Sequence, residues 1–167
     1  EGKWGLARNG SLFWKPVFAQ CWSPQAAAVD GEHIWAIAAP SYGAFTVACN
    51  AAPWSCRFPS VTDLVLSSDG KHAAALGSQN NSRFQIAVDG KVWDGAFDMA
   101  WPVVFSPAGD RAAAKVRRNG KFALYVDGSA VIENLDGVWN PTFSPDGTVL
   151  LFCSLKDGVF SRHTVRL

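Results

Sequence analysis

The chain has 167 residues, with 15 Lys plus Arg against 14 Asp plus Glu, 49% hydrophobic residues and 17% charged ones. That length holds one compact domain or a few repeat units but not two ordinary domains, and the apolar content excludes a disordered chain. The near-neutral charge gives no basic field for nucleic acid, and no apolar run reaches the roughly 18 to 20 residues of a membrane helix.

At the N-terminus, Glu1-Gly2-Lys3-Trp4-Gly5 holds neither an initiator Met nor an apolar signal core, and reads as a processed, truncated or tag-cleaved start. From there the chain is organised by a period of about 39 residues. An aromatic that follows a turn recurs as Trp4, Phe45, Phe84, Phe122 and Phe160. Five residues after the first four come Asn9, Asn50, Asp89 and Asp127, three of them followed by Gly10, Gly90 and Gly128. Next in each unit stand Trp14, Trp54, Trp93 and Val131, then Phe18, Phe58, Phe97 and Leu135, then Trp22, Thr62, Trp101 and Trp139. The period closes on Gly31, Gly70, Gly109 and Gly147. Seven of the eight tryptophans fall on these positions, Trp35 being the exception, so the tryptophan enrichment belongs first to the repeated unit.

Within a unit the elements read as short strands between turns. Residues 102–107 are extended, 111–116 form the next strand, Asn119-Gly120 turns it, and 121–126 follow before Asp127-Gly128. Asx-Gly between apolar runs is a strong hairpin signal, because glycine accepts the positive φ of primed turns. The Ala triplets at 26–28, 73–75 and 112–114 resemble helix, but the latter two have a turn on either side within about ten residues, which predicts strand.

Several strands per unit, repeated radially at about 40 residues, predict an all-β propeller of four-stranded blades in a single domain over 1–167. The complete blades are about 23–61, 62–100 and 101–138, and residues 139–167 together with 1–22 form a composite blade. Two closures are open: four blades sealed within one chain, or an arc that completes a larger ring by oligomerisation, since a terminal blade presents an unpaired edge. Trp14, Trp54, Trp93, Trp22, Trp101, Trp139 and the anchors Phe45, Phe84, Phe122 and Phe160 are the expected packing layer between blades.

Chemistry-bearing residues are few. Cys21, Cys49, Cys56 and Cys153 form no CxxC pair, and read as reduced thiols, although Cys49 and Cys56 could meet across a turn. His33 and His72 follow a turn glycine where Arg111 stands in a third unit, which places them at solvent-facing strand starts. Asp69, Asp89, Asp127 and Asp146 belong to turns, where a carboxylate accepts backbone N–H bonds. No nucleophile elbow, phosphate-binding loop or zinc motif is present, so no catalytic, cofactor-binding or metal residue is expected. Lys115, Arg117, Arg118 and Lys121 form one basic cluster at a hairpin tip. Trp35 and Tyr42 stand beside an unusual loop at 38–43. The candidate partner contacts are therefore Tyr42, Trp35, Arg117, Arg118 and Lys121.

Phe143-Ser144-Pro145-Asp146-Gly147, with Phe105-Ser106-Pro107-Ala108-Gly109 one residue off and Leu66-Ser67-Ser68-Asp69-Gly70 a weaker copy, resembles the turn of TolB-type, WD-like propeller repeats. The run 88–93 with Phe97 and Trp101 is also similar to tryptophan-rich subunits of a transmembrane electron-transport complex in sulfate-reducing bacteria. The resemblance implies a non-catalytic scaffold that binds other protein subunits, cytoplasmic and membrane-associated only through them, with homodimerisation as one route to a full ring. A lectin-like propeller with aromatic pockets between blades is the alternative.

Overall fold

The computed structural model describes residues 2–26, 31–80 and 82–167, and among these there is strand and turn but no helix. Five antiparallel sheets follow one another along the chain. The first holds β1 (Trp4–Arg8) and β2 (Ser11–Phe18). The second holds β3 (Gln20–Ala26), β4 (Ile34–Ser41), β5 (Ala44–Cys49) and β6 (Ala52–Pro53). The third holds β7 (Ser60–Leu66), β8 (Ala73–Asn80), β9 (Arg83–Val88) and β10 (Lys91–Val92). In the fourth, β11 (Met99–Ala100) and β12 (Val104–Phe105) both pair with β13 (Ala112–Arg118), followed by β14 (Lys121–Val126) and β15 (Ser129–Leu135). In the fifth, β16 (Gly137–Val138) and β17 (Thr142–Phe143) pair with β18 (Val149–Lys156), which pairs with β19 (Val159–Arg166).

Turn chemistry accounts for the hairpins. Asn9, Asp89, Asn119, Asp127 and Asp157 have φ between 49° and 51°, and each precedes a glycine with φ between 77° and 83°, the two positive values a primed turn needs. The Ser-Pro-Asp-Gly turn is held by its hydroxyl. Ser67, Ser106 and Ser144 Oγ accept the N–H of His72, Arg111 and Val149 at 3.0, 3.1 and 3.0 Å. Each hydroxyl donates to a carboxylate: Asp69 at 2.6 Å, Asp110 at 2.7 Å and Asp146 at 2.5 Å. In the Ser-Pro-Ala-Gly copy the partner is thus Asp110, one step past the turn glycine, so the bridge survives the loss of the usual Asp. Asp89 and Asp127 accept the N–H of Ala73 and Ala112, both at 2.9 Å, tying each Asx-Gly turn to the preceding strand. The Ala triplets at 73–75 and 112–114 lie in strands β8 and β13; Ala27 and Ala28 of the first triplet and Val29-Asp30 of the first glycine turn lie outside the described residues.

Four apolar clusters fill the four junctions between successive sheets. Trp14, Phe18, Ala36 and Ala38 join the first to the second, and Trp35, Ile37, Val47, Phe58 and Ala75 join the second to the third. Ala74, Ile86, Trp93, Phe97 and Val116 join the third to the fourth, and Ala113, Leu124, Leu135, Leu150 and Phe152 join the fourth to the fifth. Burying one such large side chain contributes about 1.5 to 3 kcal/mol. Small residues on β8 and β13 let neighbouring sheets approach closely, which is why alanine fills strands it would not otherwise favour.

The tryptophans occupy two recurring environments. Trp14 and Trp93 enter the inter-sheet clusters and Trp54 packs against one, whereas Trp22, Trp101 and Trp139 pair with the third-strand rings of Phe45, Phe122 and Phe160 at 5.4, 5.7 and 5.3 Å between centroids. Trp35 is not off the repeat register. It lies opposite Cys49 as Ala74 lies opposite Val88, Ala113 opposite Val126 and Leu151 opposite Thr164. A large indole stands where two other sheets place alanine. Among the described residues β1 and β2 pair only with each other, and β19 only with β18.

Candidate interaction surfaces

The innermost strands bring one surface together. β7, β12 and β17, from three different sheets, border a common hollow of about 470 Å³ lined by Val65, Leu66, Val104, Phe105, Thr142 and Phe143. They are the two residues before Ser67, Ser106 and Ser144, so the repeat itself delivers them to one place. The turns above are tied across sheets, with Ser68 Oγ donating to the Pro107 carbonyl at 2.8 Å. None of the residues that line the hollow carries a charged side chain.

A second surface lies at the junction of the first two sheets. Trp4, Gln20, Cys21, Trp22 and Phe45 line a hollow of about 380 Å³. Its walls are the exposed edge of Trp4 and the edge-on Trp22–Phe45 pair. Cys21 is buried beside it, and burial pushes its thiol pKa up.

Of the residues singled out from sequence, Tyr42 lies at the β4–β5 turn and is 67% exposed, available to a partner. Trp35 is withdrawn from that role: it is 5% exposed, its Nε1–H donates to the Gly70 carbonyl at 2.8 Å, and its ring meets Trp54 edge-on at 6.2 Å. The basic residues do gather around the Asn119-Gly120 turn, but their charges are engaged within the chain. Arg117 lies over Phe122 at 5.9 Å, Arg118 over Phe97 at 5.0 Å, Lys115 over Trp101 at 4.3 Å, and Lys121 binds Asp136 at 2.5 Å. Desolvation at the fourth junction lowers the Lys115 pKa. These stems and rings thicken the sheet edge.

The histidines separate. His72 Nδ1 pairs with Asp89 at 2.7 Å on the surface, while His163 Nε2 meets the buried Ser154 hydroxyl at 2.8 Å and its ring stacks on Phe152 at 4.6 Å. Ser154 and His163 have no carboxylate completing them among the described residues, and their stacked, inward geometry holds the fourth junction together. None of the four cysteines is in a disulfide, so Cys49 and Cys56 are not bridged. The inner-strand residues Val65, Val104 and Thr142 were missed from sequence, although their signal was present as the positions just before each Ser turn.

No family model matches the chain, and no curated protein matches it. Solved structures similar to it include TolB from Acinetobacter baumannii, at 15% identity and a TM-score of 0.48, over 93% of this chain and 43% of that one. A structure from a study of two prolyl endopeptidases is similar at 11% identity and a TM-score of 0.48, over 90% of this chain and 28% of that one. A eukaryotic initiation factor is similar at 11% and 0.47, over 99% of this chain and 48% of that one. The chain therefore spans less than half the length of each of these three structures.

Proposed function

We propose that this chain is a non-catalytic interaction module: an arc of propeller-type blades that presents its inner hollow and turn rim to other protein subunits. The observation that carries this reading is the convergence of three innermost strands on one largely apolar hollow of about 470 Å³. A rigid apolar concavity rimmed by polar turns suits an inserted apolar side chain of a partner, and a useful protein interface buries roughly 1,200 Å² or more. The tryptophan-rich repeat is similar to the TmcD subunit of the transmembrane electron-transport complex of sulfate-reducing bacteria, which supports the finer reading of an accessory subunit in such a complex. On that reading the module sits on the cytoplasmic side and meets the membrane only through its partners. Among the described residues no helix is long and apolar enough to cross a membrane. Association with another subunit or with a second copy through an outer sheet belongs to the same reading.

The test is retention of partner subunits from native membranes by the tagged chain and by Thr142→Glu, which places a charge in the inner hollow. The expected result is a stoichiometric set of subunits held by the wild type and lost from the folded variant. Retention unchanged by Thr142→Glu would overturn the reading.

A second reading rests on the hollow between Trp4, Trp22 and Phe45, whose aromatic walls suit the face of a sugar or another small ring. Tryptophan fluorescence titrated with a saccharide panel separates the two, since only the ligand-binding reading expects a saturable change that Trp22→Ala abolishes.

A further inference from the structure

One residue breaks the apolar pattern inside a junction that two sheets fill from both sides. Ile37 in β4 lies opposite Val47, and Leu76 in β8 lies opposite Ile86; the two are 3% and 4% exposed. The same register position in β13 is Lys115, opposite the fully buried Leu124. It stands half-buried at the junction of the fourth and fifth sheets, where Ala113 and Leu124 share one cluster with Val138.

The Lys115 amine does not run out to an acid. Its Nζ lies 4.3 Å from the centroid of the Trp101 ring, and Trp101 meets Phe122 at 5.7 Å with the planes tilted by 36°. Arg117 follows on the same face of β13, opposite Phe122, with its guanidinium carbon 5.9 Å from that ring. Side chains two apart on a strand share a face, with Cα atoms about 6.5 Å apart. Among the described residues no carboxylate lies within ion-pair distance of Lys115 or Arg117, whereas Lys71 and Lys121 pair with Asp69 and Asp136. An amine and a guanidinium therefore stand side by side over two aromatic rings.

A lysine in apolar surroundings beside a second cation is an activated nucleophile, because both neighbours favour its neutral form. Burial lowers the Lys115 pKa in this way. The indole face positions the amine without an acid that would fix its proton. A guanidinium free of an acid of its own matches the two oxygens of a carboxylate.

We propose that Lys115 and Arg117 form a covalent binding site for small oxo acids, with Lys115 Nζ joined to the carbonyl carbon as an imine and the Arg117 guanidinium holding the carboxylate. The neutral amine adds to the carbonyl and a C–N bond forms. The carbonyl oxygen takes up the two amine protons and leaves as water, so the step needs no oxidant or reductant and is reversible. The Trp101 and Phe122 rings form the floor on which the flat imine lies.

This inference goes beyond the interaction-module reading and does not rest on it. Its test exposes the whole chain at pH 7 to glyoxylate or to acetaldehyde, a neutral aldehyde, with cyanoborohydride present to reduce each imine to a stable amine. Peptide mass spectrometry then reads the labelling rate of every lysine. Glyoxylate should mark Lys115 about fivefold faster than the exposed Lys15, Lys91 and Lys156. Arg117→Gln, at an exposed position, should slow glyoxylate labelling of Lys115 about threefold and leave acetaldehyde labelling unchanged. Arg118→Gln makes the same charge change on the other face of β13 and should leave both rates as they are. Labelling of Lys115 no faster than of the exposed lysines overturns the proposal. So does an Arg117→Gln effect that is absent, equal for the two aldehydes, or matched by Arg118→Gln. Such a failure leaves the inner-hollow reading standing, because Thr142→Glu probes a different surface.

Discussion

Gly77 in β8 is a point where the packing of two sheets can be broken by one methyl group. A Cβ built there would lie 2.3, 2.4 and 2.5 Å from three ring atoms of Phe58. Ordinary contact begins near 3.4 Å, so the ring or the strand must move by about 1 Å. Phe58 cannot swing clear, since it is 4% exposed and packed among Trp35, Ile37, Val47 and Val61. The substitution Gly77→Ala therefore overpacks the junction of the second and third sheets, at a cost of about 1 to 3 kcal/mol. For a chain of this size that corresponds to a fall in Tm of roughly 2 to 12 °C. Thermal and urea unfolding of Gly77→Ala read the loss directly. The double variant with Phe58→Leu should recover part of it, because the two sites share one contact. Gly77→Ala with wild-type stability, or strictly additive losses in the double variant, would refute the flat-ring packing.

Other consequences are open to measurement. Trp35→Phe leaves the Gly70 carbonyl without its 2.8 Å donor in a buried site, and unfolding should show a loss of about 1 to 3 kcal/mol; an unchanged midpoint argues against that bond. Ala51 has φ +67°, a left-handed conformation that strains any Cβ, so Ala51→Gly should stabilise by about 0.5 to 1 kcal/mol, whereas destabilisation would contradict the assigned turn. Asp69, Asp146 and Asp136 are held below the usual carboxylate range, chiefly by hydrogen bonds from Ser67, Ser144 and Lys121 respectively. Because their folded pKa values are depressed, their contribution is complete above about pH 4 and is lost as pH falls through the folded values. Carboxyl NMR titration should place all three midpoints below those of denatured-state aspartates. Burial raises the Cys21 and Cys56 thiol pKa, so reaction with a thiol reagent at pH 8 should be slower than for a free cysteine and should accelerate on unfolding.

The hairpins were legible in the sequence because their cause is local. Asp127-Gly128 and Asn119-Gly120 carry within two residues the positive φ that a primed turn demands, and the structure places turns at both. The buried ranks of Trp14, Trp93 and Phe97 were legible too, because a repeat of about 39 residues sends the same position to the same junction. Asp110 was not legible as a turn ligand, since it is shifted by two residues and its role appears only when its carboxylate reaches Ser106 Oγ at 2.7 Å. Trp35 misled in the opposite direction. Its place beside Ala74, Ala113 and Leu151 follows from which residues pair across strands, and a bulge between Trp22 and Gln25 lies in the neighbouring ladder.

By itself the amino-acid order determined the strands, their turns, the period and the part of the apolar layer held by Trp14, Trp93 and Phe97, whereas Trp22, Trp139 and Phe160, expected in that layer, are exposed. Only the tertiary structure decided that β1 and β2 pair only with each other among the described residues, that Trp35 is interior, and that Arg162 is exposed at the register position where Val47, Ile86 and Leu124 are buried. Those outcomes depend on which sheet lies against which, a matter of contacts between residues far apart in the chain that no local pattern encodes.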